Sequence, residues 1–340
     1  MILIDPTLLK AVAKFRANRR ATLSLLVLAT ALILSLFGEA WCNDRPYVVR
    51  YGGSFYFPIL FRYPAETFGE TVRAEADYKA LSRTETFRAS GDWMLFAPIP
   101  FGQNESVSGD SPPPHAPSRT SLFGTDDRGR DLLTRLIFGF RNSMLFALAS
   151  WVFVAAVAFV VGATQGVFGG RYDLIVGRLT EIWSALPVLY VILFLLSVFP
   201  ASLVLLTAIW VVFSWIGLST YIRAEALRVR KQEFITAARA LGFSWPRIVF
   251  RHVLPNTLTP IVTFSPFLIS AAVGSLAALD YLGLGLPPPA ASWGELLRQG
   301  KENLRCWWLV SFPFASLFLT LTLLNFVGEG VRSAFDAKGA

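Results

Sequence analysis

The chain has 340 residues, of which 54% are hydrophobic and 16% are charged, and its formal net charge is +8. This composition is too apolar for an ordinary soluble domain, and several uncharged runs exceed the roughly 18 residues that cross a bilayer. The positive charge requires no nucleic-acid partner, because orientation in a membrane and contact with anionic lipid already call for basic residues.

Six hydrophobic segments predict an all-α polytopic membrane protein. The second, fourth, fifth and sixth contain no charged side chain, whereas the third contains Glu181 near its start and the first is short. These lengths are sufficient to span the hydrocarbon core as helices. The predicted spans are residues 21–38, 143–168, 179–199, 203–222, 257–279 and 307–327.

Basic residues predict how these spans are oriented. The N-terminal segment 1–20 contains five closely spaced basic residues, and the loop 223–256 contains seven against two acidic residues. Short loops rich in Lys and Arg stay in the cytoplasm, so both segments and the tail 332–340 are expected inside. The first span lacks a small-x-small cleavage site, which favours an uncleaved signal anchor.

Residues 39–141 form a polar insertion between the first two spans, expected on the outer, periplasmic face. Runs from Val48 and from Ser54 have the β-branched and aromatic content of short strands, interrupted by glycines and Pro58. The proline-rich residues 111–117 predict an extended connector. A mixed or β-rich subdomain is therefore expected before a core domain over residues 142–331.

Charged residues are dense in the segment 122–141, which includes the motif GTDDRGRD at residues 124–131. One interpretation is a short amphipathic helix on the membrane surface, stabilised by neighbouring Asp and Arg side chains. The alternative is a contact surface for a substrate-delivering protein.

Three further features leave alternatives open. Gly162, Gly166 and Gly170 recur every fourth residue, as in close helix packing, although the last of them also suits a turn. Cys42 and Cys306 both fall at predicted outer ends of spans, where they are either a disulfide pair or two unrelated thiols.

Glu181 lies inside the third predicted span, and an ionisable residue in a membrane segment is a functional candidate. It either forms an orienting ion pair with Arg178 or faces a translocation path. Ser184 and Trp215 complete the candidate set for that path.

The segment 233–255 predicts a helix-turn-helix between two apolar spans. Gly242 suits the C′ position of a first helix, while Ser244 and Pro246 suit the start of a second. Pro255 is expected to end that second helix. A basic segment of this kind, facing the cytoplasm, is suited to docking a soluble partner.

The sequence contains no GxxxxGK[ST] phosphate-binding loop, so the chain has no visible means of hydrolysing ATP. Its two histidines and two cysteines are too widely separated along the chain to form a usual metal cluster. No set of nucleophile, base and acid is recognisable, and an enzyme is not expected.

The pattern AARALG, followed after eleven residues by Leu254–Pro255, resembles the EAA loop of the permease subunits of bacterial ABC importers. The resemblance implies that this loop contacts a cytoplasmic ATPase. Thr236 stands where the family has an acid, with Glu233 one turn earlier as a substitute, and His252 replaces an aliphatic residue. The residues implied to couple to the ATPase are Glu233, Thr236, Ala237, Ala238, Gly242, Arg247, Leu254 and Pro255.

GTDDRGRD, and LGLGLPPP with SWGELL at residues 282–297, resemble the dipeptide and oligopeptide branch of these permeases. The insertion motif NDRPYVVRYGGSFYFPILFRYP is most similar to Yej-type permeases, which import microcin C and peptides. The resemblance implies the type I ABC importer permease fold in the inner membrane. It further implies a second permease subunit, ATPase subunits that bind ATP and Mg, and a periplasmic binding protein, with no cofactor on this chain.

Two other classes compete with this interpretation. An ATPase-independent secondary transporter or channel also explains six spans, but it requires an intramembrane ion relay that the spans scarcely provide. A membrane scaffold explains the insertion but gives the EAA-like loop no purpose.

Overall fold

The computed structural model describes residues 6–69, 76–107 and 112–335. The chain divides into two compact units, and several segments of the chain contribute to each. The helical unit comprises Met1–Ala31, Asn142–Pro288 and Ala315–Ala340, and the insertion unit comprises Leu32–Arg141 and Pro289–Phe314. The insertion unit thus includes residues 289–314 in addition to the polar segment expected from the sequence. Parts of the predicted N-terminal segment, insertion, proline-rich connector and tail lie outside the described residues.

Helices dominate the described part of the chain. In chain order they are α1 (Pro6–Ala17), α2 (Arg19–Leu36), α3 (Gly38–Trp41), α4 (Tyr78–Arg83), α5 (Glu85–Ala89), α6 (Leu132–Phe168), α7 (Gly170–Ser184), α8 (Val188–Val198), α9 (Leu203–Arg230), α10 (Glu233–Ala240), α11 (Trp245–Ile248), α12 (Leu254–Tyr281), α13 (Trp293–Glu302) and α14 (Trp308–Phe335). A 3-10 helix covers Ala65–Phe68, and a π-helical turn covers Val249–Val253.

Within the described residues, five helices are long and apolar enough to cross a membrane, and α7 with α8 makes a sixth candidate if the pair is one span. The third predicted span, residues 179–199, is not one helix. It is divided between α7 and α8, which are bent by 71° at a break that contains Pro187. Proline lacks an N–H donor and its ring clashes with the preceding turn, which explains the break.

The core of the helical unit lies where α6, α9, α10 and α12 meet. Gly162 and Gly166 face α9 so closely that a Cβ atom at either position would collide with its backbone or with Ala226. The glycines predicted to serve packing therefore do so at these two positions, whereas Gly170 adopts a positive φ at the start of α7. Close backbone approach of this kind is how small residues join helices in a membrane.

A three-stranded antiparallel sheet forms part of the insertion unit. Its strands are β1 (Val48–Tyr51), β2 (Ser54–Tyr56) and β3 (Trp93–Leu95), with β1 in the centre. Strands were predicted from Val48 and from Ser54, and the Gly52–Gly53 turn between them has positive φ at both residues, as a two-residue hairpin prefers. Val49 is buried on one face among aromatic side chains, and short helices complete a mixed subdomain.

The prediction of one short surface helix over residues 122–141 is wrong. Residues up to Asp131 form turns and isolated bridges, and the long helix α6 begins at Leu132. Four charged side chains in this segment are buried, where they contact one another, Ser121 or α13: Asp126, Arg130, Asp131 and Arg135. Both cysteines are free, Cys42 buried and Cys306 partly exposed.

Candidate functional site: a basic surface loop and an adjoining polar groove

Helix α10 has two faces that the sequence makes chemically different. Ile235 and Ala238, three residues apart, are buried against the core cluster of the helical unit. Glu233, Thr236 and Ala237 lie on the exposed face. The buried face fixes the helix to the unit, and the exposed face is free to contact another molecule.

The turn after α10 has the hydrogen bonds of a Schellman motif. Gly242 has φ +74°, and its N–H donates to the carbonyl of Arg239 at 3.0 Å. The N–H of Phe243 donates to the carbonyl of Ala238 at 3.1 Å. These two bonds satisfy carbonyls that the helix end leaves free, and the left-handed residue between them favours glycine.

The second helix begins as predicted but does not end at Pro255. Ser244 is its N-cap residue and Pro246 lies in its first turn, after which the helix continues through the π-helical turn Val249–Val253 into α12. Proline cannot make a regular bond to the carbonyl four residues earlier, and the wider turn just before Pro255 accommodates its ring. Leu254 and Pro255 therefore lie inside one long helix instead of closing a short one.

Aromatic, aliphatic and basic side chains share the exposed surface of this loop. Leu241 is 74% exposed. The Arg239 guanidinium lies 5.0 Å from the Trp245 ring, and that of Arg247 lies 5.4 Å from the Phe243 ring. We refer to this surface as the coupling surface, and its large exposed apolar members are Phe234, Leu241, Phe243 and Phe250.

The residues predicted to couple to an ATPase divide between this surface and the core. Most are exposed, but Ala238 is buried and Leu254 is partly buried, so these two stabilise the loop from within. His252 lies between the rings of Phe234 and Phe243, with centroid distances of 6.1 and 6.5 Å. The exposed predicted residues are Glu233, Thr236, Ala237, Gly242, Arg247 and Pro255.

A polar groove of about 500 Å³ lies beside α7 and α9 in the same unit. Glu181 and Ser184, both predicted for a translocation path, line it. Trp215 is not among its lining residues: it packs against the core cluster and donates from its indole N–H to the carbonyl of Val212 at 2.9 Å. The structure thus brings two of the three predicted path residues together.

Two ion pairs border this groove. Arg178 donates to Glu181 at 2.7 Å, which is one of the two alternatives that the sequence left open for Glu181. Arg223 of α9 holds Asp173 of α7 through two bonds of 2.5 and 2.6 Å. The second pair was missed, because its members are 50 residues apart and only the opposite charges on two predicted helices point to it.

Known proteins match both the whole chain and its second half. A family described as the inner membrane component of binding-protein-dependent transport systems matches residues 158–338. The inner membrane ABC transporter permease protein YejE of Escherichia coli (strain K12) is 42% identical over 329 residues, 96% of each chain. The peptidoglycan transport system permease protein YejE of Agrobacterium fabrum is 38% identical over 360 residues, covering 98% of this chain and 94% of that relative. The oligopeptide transport system permease protein OppC of Bacillus subtilis is 32% identical over 245 residues, 72% of this chain and 79% of the relative.

The chain belongs to this family of transport permeases. It is a membrane-embedded, non-catalytic permease subunit of an ABC importer, and the resemblance to Yej-type and oligopeptide permeases is confirmed. The expected all-α permease fold is also confirmed, with five candidate spans among the described residues, or six if α7 and α8 form one broken span. The alternatives of an ATPase-independent transporter, a channel and a scaffold are set aside.

The permease also contains a buried charge network that sequence reasoning missed, located in the insertion unit. Arg135 is fully buried and donates to the carbonyls of Pro289 and Ala290 at 2.6 Å and to Glu295 at 3.1 Å. Asp126 accepts a 2.7 Å bond from Nε of Arg130. Arg130 lies 3.8 Å from Glu295 and Arg135 lies 4.0 Å from Asp126, so the network joins the GTDDRGRD segment to α13 and the loop before it.

Asp127, at the edge of this network, is in a less favourable position. Its Oδ1 atom is buried without a hydrogen-bond partner among the described residues. Burial raises the pKa of the Asp127 carboxyl above its ordinary value, and the charge of neighbouring Asp126 adds to the rise.

Proposed function

We propose that the permease forms half of the translocation path of an ATP-driven importer for peptides or peptide-like compounds, including those of the microcin C type. The names of its relatives, which refer to oligopeptide and peptidoglycan transport, support this substrate class. The polar groove beside α7 and α9 is a suitable wall for such a path, because hydroxyl and charged side chains hydrate a peptide backbone.

The coupling surface is the observation that carries the proposal. Its outward side chains include aromatic residues and arginines, the residue types enriched where proteins bind one another, together with the exposed Leu241. Its inner face is locked to the core by Ile235 and Ala238. A surface that is both apolar outside and rigidly attached inside is suited to receive force from an ATPase.

Partners provide the chemistry that this chain lacks. ATP and Mg bind to cytoplasmic ATPase subunits, a second permease subunit completes the path, and a binding protein delivers the substrate. Closure of the ATPases moves the coupling surface and converts the path from inward-facing to outward-facing. This chain contributes contacts and movement, and it binds no cofactor of its own.

Copurification tests the ATPase contact. The affinity-tagged permease, expressed from its native operon and extracted in mild detergent, is expected to retain an ATPase. Leu241→Asp should remove that ATPase by placing a charge in an apolar contact, whereas Leu60→Asp, at a site 73% exposed in the insertion unit, should not. Equal ATPase recovery from both variants would contradict a docking role for the coupling surface.

Cysteine labelling tests the proposed orientation. Ser54 lies in the insertion and Ser244 lies in the coupling surface, and both are exposed. An impermeant thiol reagent applied to intact spheroplasts should modify Ser54→Cys and leave Ser244→Cys unmodified. Modification of Ser244→Cys from outside would overturn the cytoplasmic assignment of the loop.

We infer that the insertion receives the binding protein. Its sheet exposes Phe55 and Trp93, whose rings meet edge to face at 6.3 Å across the strands. Replacing residues 48–101 with a flexible linker should weaken binding-protein affinity and transport. Unchanged affinity and unchanged transport would exclude this role.

A further inference from the structure

Two arginines of α9 reach the region where α6 becomes α7. Arg223 and Arg230 are seven residues apart, close to two helical turns, so they lie on nearly the same face. Arg223 grips the carboxylate of Asp173 with two parallel bonds of 2.5 and 2.6 Å. Arg230 donates to the carbonyl of Phe168, the last residue of α6, at 3.1 Å. A bidentate pair fixes both distance and orientation, unlike a single contact between point charges.

The segment held by these arginines is a junction and not a regular helix. Gly169 and Gly170 have φ values of +63° and +57°, a conformation in which glycine is unstrained and other residues are not. The Arg230 guanidinium occupies the place that a side chain at Gly169 would take. At its other end, α7 meets the 71° bend before α8. Helix α7 is therefore a rod of 15 residues with a joint at each end.

The other side of the contact is rigid. Helices α6 and α9 pack at the Gly162 and Gly166 crossing, where no Cβ separates the backbones. Only Lys231 and Gln232 separate α9 from α10, and their N–H groups donate to the carbonyls of Arg228 and Val229. The end of α9 therefore moves together with α10 and the coupling surface.

We propose that Arg223, supported by Arg230, is the positioning residue that makes α7 follow the coupling surface during transport. Helix α7 forms one wall of the polar groove through Gly177, Thr180, Glu181 and Ser184, and α9 forms the facing wall through Ser219 and Thr220. Movement of α9 without α7 would widen or close this groove, whereas the bidentate grip makes both walls move together. The inference rests on the proposed importer function.

A second ion pair provides the matched comparison. Arg178 and Glu181 also border the groove, but both belong to α7, and their side chains are 69% and 64% exposed. This pair joins no two helices. Its loss removes a similar charge from the same groove without loosening α7 from α9.

The transport test uses the assembled complex in proteoliposomes, loaded with binding protein and a peptide substrate. For Arg223→Gln we expect normal ATPase copurification and continued ATP hydrolysis, but transport reduced about tenfold or more, within the usual range of coupling between sites. Arg228→Gln breaks an exposed pair with Glu225 within α9, outside the residues that line the groove, and should stay within about twofold of the parent. The exchange Asp173→Arg with Arg223→Asp should restore transport at least partly, because it restores the cross-helix pair with reversed charge.

A distance measurement separates this role from a general loss of stability. Spin labels at Leu174→Cys and Arg228→Cys, in a chain with both native cysteines replaced by serine, report the separation of α7 and α9. The parent should give one narrow distance distribution with and without nucleotide. Arg223→Gln should broaden it, Arg223→Lys should broaden it less, and Arg178→Gln should leave it narrow.

Each result decides one question. Full transport and a narrow distance distribution in Arg223→Gln would overturn the proposal that Arg223 makes α7 follow the coupling surface. Equal transport losses in Arg223→Gln and Arg228→Gln would also overturn it, since the loss of any arginine of α9 would then have the same effect. Failure of the parent chain to retain any ATPase would instead refute the proposed function, and the distance measurement on the chain alone would still test the grip of Arg223 on α7.

Discussion

The two charge clusters of the permease differ in burial. In the insertion unit, Arg135 is fully buried and its partner Glu295 is 3% exposed. In the helical unit, Arg223 and Asp173 retain 38% and 15% side-chain exposure beside an open groove. Both clusters join segments distant in sequence, yet only the first is removed from solvent.

This difference in burial predicts that one charge cluster stabilises the folded protein and that the other contributes mainly to transport. A buried ion that loses its partner costs several kilocalories per mole, because it stays desolvated and uncompensated. An ion that lines an open groove can be rehydrated when its partner leaves, so the loss of that partner costs less stability. We therefore expect variants of the buried network to fail before assembly, and variants of the groove pairs to assemble and fail, if at all, during transport.

Arg135→Met should have the largest effect. It removes the cation that bonds the buried carboxylate of Glu295, while Asp126 keeps Arg130, and we expect a loss of about 3–5 kcal/mol in unfolding free energy. Denaturant unfolding of the purified chain in detergent measures it. Arg305→Met, at an exposed position of the same unit, is the control. If Arg135→Met and Arg305→Met had the same unfolding midpoint, burial of the charge network would not contribute to stability as we expect.

The double variant Arg135→Met with Glu295→Met sharpens this result. Removing both charges should cost less than the sum of the two single losses, because no unpaired ion remains between them. Additive losses would show that Arg135 stabilises the unit through its bonds to the carbonyls of Pro289 and Ala290 alone.

Gly242→Asp should affect stability less and transport more. Among the described residues nothing lies within 4 Å of the place a Cβ would take, so the local cost is the left-handed backbone, about 1–2 kcal/mol. We expect a normally inserted, abundant protein without peptide uptake, because the new carboxylate disturbs the coupling surface. Uptake and membrane abundance measure the two effects.

Gly53→Asp is the matched control for that variant. Gly53 also has a positive φ, of +81°, and also lacks described neighbours within 4 Å of the place a Cβ would take, but it lies in the turn between β1 and β2 of the insertion unit. Because Gly53 lies in the insertion proposed to receive the binding protein, the readout that compares the two variants is ATPase copurification, and equal loss of the ATPase from both would attribute the defect to backbone strain and not to a partner contact.

Asp127→Asn should have a smaller effect, and one that depends on pH. Since the pKa of Asp127 is raised in the folded state, its contribution to stability is fully present below the unfolded pKa near 4 and is lost as pH rises through the folded pKa. The asparagine variant should therefore be more stable than the parent at neutral pH and lose that advantage in acid. Unfolding midpoints at several pH values measure this crossover, and a constant difference would exclude titration of Asp127 as its cause.

Glu181→Gln should have the smallest effect on stability, within about 1 kcal/mol, since its pair with Arg178 is exposed. We expect parental unfolding and transport within about twofold of the parent. A strong transport defect at parental stability would assign Glu181 a direct role on the path, which the ion pair alone does not provide.

Structural features that depend on residues close together in the sequence were predicted from local patterns. The Schellman turn at Gly242, the strands from Val48 and Ser54, and the contact of Arg178 with Glu181 all follow from spacings of a few residues. The network of Arg135 with Glu295 joins positions 160 residues apart, and no local spacing encodes that pairing. From the sequence alone, these charges therefore resembled those of a solvated surface helix. In the folded chain, α13 lies beside them.

The bend at Pro187 in the third span and the continuation of the helix past Pro255 depend on structural context in a related way. Pro187 interrupts a helix and Pro255 does not, although both are prolines in apolar surroundings. The difference comes from the π-helical turn at Val249–Val253, which makes room for the second proline. Whether a chain adopts such a turn depends on the packing of its neighbours, here the core cluster around Ile248 and Val253.

Because of that π-helical turn, one continuous helix runs from the coupling surface at Trp245 to Tyr281. The helix from Trp245 to Tyr281 has a contour length of about 55 Å at 1.5 Å per residue, nearly twice the roughly 30 Å of a bilayer interior. A helix that ended at Pro255 would have left a flexible joint between the coupling surface and the span. Because the backbone stays helical, a sideways movement at Trp245 tilts the whole helix and so moves its other end, at Tyr281. Pro260 and Pro266 are the positions within this helix where it can bend.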